Sequence, residues 1–110
     1  MAKKRTYSKY AQEAALLLGK QIKLARKQRK WSEQNLADRA GISRATLQKI
    51  ENGKLTCAIG LVFEAAALVG LNLFEQDKLP ISVNIKNVSN MTTLLPRRIK
   101  SKAKVVDDDF

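Results

Sequence analysis

The strongest constraint on the fold is a set of helix starts and stops within residues 31–53. Ser32 suits an N-cap, because its hydroxyl can accept from an otherwise unpaired N–H of the first turn, and Glu33 follows where a carboxylate favours the helix N-terminus. Gly41 can take the left-handed conformation that ends this helix; Ser43 caps the next, and Asn52-Gly53 closes it. Leu36, Ala37, Ala40, Ile42, Leu47 and Ile50 then fall on mutually facing sides, with Ala37 small where two helices must cross closely. The segment therefore predicts two short helices joined by a tight turn.

Helical period extends on both sides. Residues 8–29 predict a long helix capped by Ser8, with Ala14, Leu18, Ile22 and Ala25 as its apolar stripe and Leu17 and Leu24 widening it. Gly19 weakens such a helix by about 1 kcal/mol relative to Ala, and is read as the junction between a frayed arm and the packed domain. Residues 58–69, with Ile59, Val62, Phe63 and Ala66 as core, predict a further helix ended by Gly70. Beyond it, Asp77 can cap a segment over residues 78–95 with Pro80 in its first turn. There Ile81, Val83 and Ile85 alternate as in a strand, while Ile81, Ile85, Val88, Met91 and Leu95 follow a helix. Length favours the helix and β-branching the strand; we read a helix.

Charge points to the partner. In 110 residues, 21 Lys and Arg against 10 Asp and Glu leave +11, which calls for a polyanion. Residues 1–30 hold ten basic side chains and one acid, Glu13, so the positive field is N-terminal. Lys20, Lys23, Lys27 and Lys30 lie off the apolar stripe, as a solvated face or one that meets backbone phosphates. Histidine is absent and Cys57 is the lone cysteine, which excludes His/Cys zinc sites, imidazole-based catalysis and disulfides within the chain. Cys57 reads as a small residue at a helix start. No catalytic residue, cofactor or metal is expected. No apolar run approaches the roughly 20 residues of a membrane span, and the basic N-terminus lacks the apolar stretch of a signal peptide. A cytoplasmic protein without a membrane partner is the expectation.

Residues 18–74 resemble the Cro and phage-repressor (XRE-type) helix-turn-helix family. The resemblance is carried by Ser32 with Leu36-Ala37, by Gly41 in the turn, by Ser43-x-x-Thr46-Leu47, and by Ile50-Glu51-Asn52-Gly53. It implies an all-α, lambda-repressor-like bundle of five helices, a DNA-binding transcriptional repressor, and Ser43, Thr46, Asn52 and Lys54 as phosphate-holding residues. It further implies an ion pair between Arg26 and Glu51 that fixes the recognition helix against the first helix. Glu33 departs from the pattern: the family most often has Gln there, facing a phosphate, and a carboxylate would repel DNA if it pointed outward. The notable alternative for Glu33 is interaction with the helix N-terminus.

The chemistry of the second short helix points the same way. Its outward N-terminal side chains, Arg44, Ala45, Gln48 and Lys49, suit base edges in a major groove. Arg44 can hold guanine O6 and N7 together, Gln48 can pair with adenine, and Ala45 can touch a thymine methyl. The layout predicts a basic arm and helix extension over residues 1–17, the DNA-binding domain over 18–76, a dimerisation segment over 77–96 and a flexible tail over 97–110. Val83, Ile85, Val88, Met91 and Leu95 exceed the needs of so small a core and suggest a homodimer seam, hence a palindromic double-stranded operator. In the tail, Asp107, Asp108, Asp109 and Phe110 resemble a docking peptide for a protein partner. Tyr7-x-x-Tyr10, the Pro96-Arg97-Arg98 start of the tail and its acidic end also resemble HipB-like regulators, which accompany HipA-like kinase toxins. A rival reading is an interaction module that sequesters a partner and binds nucleic acid without sequence preference.

Overall fold

A computed structural model describes residues 5–75 and 78–98; among them the chain is all-helical, in the order α1 (Lys9–Gln28), α2 (Glu33–Ala40), α3 (Arg44–Glu51), α4 (Ile59–Leu68) and α5 (Ile81–Thr93). The chain divides into two compact units, one up to Leu73 with α1 to α4 and one from Phe74 on with α5.

Local chemistry sets the ends of the helices in the first unit. Ser8 Oγ accepts from Ala11 N at 3.1 Å and starts α1, and Lys30, with a φ of 61°, turns the chain out of it. Ser32 Oγ accepts from Asn35 N while Asn35 Oδ1 accepts from Ser32 N, both at 3.0 Å, a reciprocal cap that starts α2. Gly41 ends α2 with a φ of 71°, a conformation that residues with a Cβ rarely adopt. Ser43 Oγ then accepts from Thr46 N at 3.0 Å, so α3 begins almost at once and its direction is set by that turn. Gly53 and Gly70 follow α3 and α4.

The core of this unit is Ile22, Leu36, Ala37, Leu47, Ile50, Ala65, Ala66 and Val69, drawn from all four helices and the end of α4. Ala37, fully buried, lets α2 lie close to its neighbours. The stripe of α1 differs from the expectation. Gly19, Ile22 and Arg26 are its buried residues, with Leu18 and Ala25 packed against the core, whereas Ala14 is exposed. Leu17 and Leu24 are 59% and 58% exposed, so they do not widen the buried stripe. A helix turns about 100° per residue, which takes those two leucines away from Ile22. Gly19 is no junction either: α1 runs through it unbroken, and a Cβ there would stand 2.5 Å from Ile50 O and 2.6 Å from Glu51 O. The glycine lets the α1 backbone touch the end of α3. In α4, Ile59 is 68% exposed and Phe63 is exposed too; the inward face is Leu61, Val62, Ala65, Ala66 and Leu68.

In the second unit α5 is a helix, but a shorter one than expected. Lys78 has a φ of 61°, incompatible with a helix, and Pro80 stands as the N-cap before Ile81. Asp77, expected as the cap, lies outside the described residues, as does the whole of 99–110. Asn84 Nδ2 donates to Phe74 O at 3.0 Å and ties the helix to the segment that leads into it. None of α5 is buried.

Candidate nucleic-acid interface

The eight residues of α3 separate into two faces. Leu47, Ile50 and Glu51 are buried, whereas Arg44, Ala45 and Lys49 are exposed and Gln48 is half-buried. A helix of this length is about 12 Å long, comparable to the width of the major groove of B-DNA.

α3 is anchored from beneath by a buried ion pair. Arg26 Nε donates to Glu51 Oε2 at 2.7 Å and Arg26 Nη2 to Glu51 Oε1 at 3.0 Å, with Arg26 Nη1 reaching Trp31 O at 2.9 Å. Hydrogen bonding to Glu51 raises the Arg26 pKa further above its ordinary value, against the opposing effect of burial. One guanidinium thus joins α1, the end of α3 and the short link between α1 and α2. Beside it, Trp31 lies under Arg39, 4.1 Å from ring centroid to guanidinium carbon, and Arg29, at 5.2 Å. Arg29 Nε also donates to Val69 O at 3.2 Å, which ties the end of α1 to that of α4. Sequence reading gave these three residues no role, although two arginines near a lone tryptophan are a visible cue.

Glu33 makes a contact that the sequence did not suggest. Its carboxylate neither points free to solvent nor caps α2; Oε1 accepts from Arg44 Nε at 3.0 Å and from Gln48 Nε2 at 2.9 Å. The Gln48 hydrogen bond first, and the Arg44 one next, hold the Glu33 carboxyl below the usual carboxylate range, so it is ionised at neutral pH. Glu33 begins α2 and Arg44 begins α3, and the tight turn is what brings them together.

The residues that the resemblance links to phosphates surround α3. Ser43 and Thr46 hydroxyls bond to each other at 2.9 Å at its start, and Asn52 caps its end. Lys54, exposed, follows with its backbone N–H on Lys49 O at 3.0 Å. Lys23, Glu33, Gln48, Glu51 and Asn52 line a polar hollow of about 180 Å³. Cys57 sits at the start of α4 among Leu18, Ile50, Leu55 and Val62 on an apolar hollow of about 280 Å³. Among the described residues there is no cluster of three or more metal-ligating acids or cysteines, and no helix is long and apolar enough to cross a membrane.

Residues 22–75, about half of the chain, match the helix-turn-helix family model. This segment belongs to the XRE-type helix-turn-helix family. The chain is a DNA-binding transcriptional regulator, with α2 and α3 as the two helices of the motif. Among solved structures, a SinR protein/SinI protein complex is similar, at 23% identity over 73% of this chain and 84% of that chain, with a TM-score of 0.44. No curated protein matches. Within the helix-turn-helix domain, the buried Arg26–Glu51 pair and the Gly19 contact hold the motif from the α1 side.

Proposed function

We propose that this regulator is a sequence-specific repressor that binds double-stranded DNA through the outer face of α3. The observation that carries the reading is that face itself: Arg44, Ala45, Gln48 and Lys49 stand together opposite the buried Leu47 and Ile50. Arg44 and Gln48 read bases, with Ala45 and Lys49 beside them, while Ser43, Thr46, Asn52 and Lys54 hold phosphates and set the register. The chain acts as a homodimer on a palindromic operator, with two α3 helices in successive major grooves about 34 Å apart. The proposed seam is the apolar side of α5. Ile85, Val88 and Met91 are exposed and share a broad side with Ile81, whereas the helical turn takes Val83 to the opposite one; Leu95, also exposed, follows the end of the helix.

The finer role is antitoxin and autorepressor of an operon that also encodes a HipA-like kinase toxin. Its support is in the sequence alone: Tyr7-x-x-Tyr10, Pro96-Arg97-Arg98, and the acidic Asp107, Asp108 and Asp109 with Phe110, the last four outside the described residues.

The test is a salt titration of binding to a duplex selected from random sequences and to a random duplex of equal length. Specific binding exceeds non-specific binding by about 10³–10⁷ in proteins that read sequence. Arg44→Ala should cost about 1–3 kcal/mol on the selected duplex and flatten the preference at one base pair of each half-site. Lys54→Ala should weaken both duplexes alike and lower the salt slope by about 1. An Arg44→Ala protein that keeps every base preference removes Arg44 from the reading face.

A further inference from the structure

Glu33 is an anion on a surface meant to meet a polyanion, and the geometry says why a carboxylate is useful there. One oxygen, Oε1, accepts from Arg44 Nε at 3.0 Å and from Gln48 Nε2 at 2.9 Å. Both are α3 side chains whose chemistry allows paired contacts with a base edge. An ionised carboxylate only accepts hydrogen bonds, so it dictates which part of each neighbour faces it.

For Arg44 the consequence is a choice between two forks. A guanidinium can grip O6 and N7 of guanine side-on, through Nε and one terminal nitrogen, or end-on, through Nη1 and Nη2. With Nε turned to Glu33, the end-on fork is the one presented, and Arg44 has the exposure to use it, its side chain being 61% accessible. For Gln48 the consequence is an orientation. A glutamine amide can rotate by half a turn and exchange its donor for its acceptor, which would swap the base pattern it matches. Beside a carboxylate the nitrogen must face inward. The carbonyl oxygen and the N–H on the same side of the amide then form the acceptor and donor that adenine N6 and N7 require.

We infer that Glu33 is the positioning residue that sets base preference in this domain, holding Arg44 end-on for guanine and Gln48 in the adenine-reading orientation through one shared carboxylate oxygen. The inference rests on the sequence-reading function proposed above. It assigns Glu33 two opposite effects: the negative charge lowers affinity for any duplex, while the fixed geometry raises discrimination between duplexes.

The test uses the full chain with Glu33→Gln and Glu33→Asp, the duplex selected by the unaltered protein, and a random duplex of equal length. The α2 cap is made by Ser32 and Asn35, so both variants keep it, which circular dichroism checks. Glu33→Gln removes a charge and frees the Gln48 amide to flip. Its affinity for random DNA should rise about twofold or more, while the ratio of selected to random binding falls about tenfold. Glu33→Asp keeps the charge but cannot span to both partners; random binding should stay within about twofold while the ratio again falls. The loss should sit at the base pairs that Arg44→Ala and Gln48→Ala flatten. A ratio unchanged in either variant overturns the inference and leaves Glu33 as a charge alone. If the unaltered protein itself prefers no sequence, the proposed function falls and this inference with it.

Discussion

Arg26 and Glu51 face each other almost wholly out of solvent, at side-chain exposures of 6% and 3%, so each is tolerable only because of the other. A buried ion pair adds little net stability, since desolvation offsets most of the attraction, but removing one partner strands a buried charge. Glu51→Ala should therefore lower unfolding free energy by about 3–5 kcal/mol in urea denaturation. The double change Arg26→Met with Glu51→Leu should recover most of that loss. Recovered stability with impaired operator binding would identify the pair as a device for orienting α3. Equal losses in the single and double variants would show that the packing of the two side chains, not their charge, is what matters.

Two glycines in helices show how differently one substitution can act at the scale of the element. Exchanging Gly for Ala inside an exposed helix gains up to about 1 kcal/mol. Gly60, in α4, has nothing within 4 Å of its missing Cβ, and Gly60→Ala should raise stability by up to that amount. Gly19→Ala meets the Ile50 and Glu51 carbonyls at 2.5 and 2.6 Å, and backbone cannot rotate aside as a side chain can. The expected outcome is a loss of about 1–3 kcal/mol despite the gain in helix propensity. Thermal unfolding of the two variants in parallel checks this, and a stabilised Gly19→Ala protein would mean that α1 and α3 do not touch there.

The whole chain carries +11, enough to attract DNA without any base contact, so charge and assembly must be separated to see what specificity requires. The proposed dimer predicts that truncation after Gln76 leaves a folded monomer that binds the operator weakly. Sedimentation of a full chain that stays monomeric at micromolar concentration, or of a truncated one that still dimerises, argues against the α5 seam. The proposed docking peptide makes a separate forecast. Deleting residues 105–110 should leave operator affinity within a few-fold, because those carboxylates would be repelled by phosphates, while reducing capture of a HipA-like kinase from host extract. Equal capture by both forms would leave the acidic end without that role.

The sequence determined the features that a few adjacent residues can decide. Ser8, Ser32 and Ser43 start helices and Gly41 and Asn52-Gly53 stop them, because a cap bonds a backbone group only two or three residues away. That placed α2, the turn and α3, and with them the face carrying Arg44 and Gln48. It also made the helical reading of α5 available, although Lys78 and Pro80 delay its start to Ile81. Tertiary structure alone decided which side of each helix meets which neighbour. Leu17 and Leu24 are apolar enough for a core, yet the buried side of α1 is the one where Gly19 allows backbone contact with α3. Glu33 stands 11 and 15 residues before Arg44 and Gln48, with α2 and the turn between them, and its carboxylate finds them only because α2 and α3 meet at a fixed angle. Burial and long-range hydrogen bonds depend on distances between elements, which no local pattern of residues specifies.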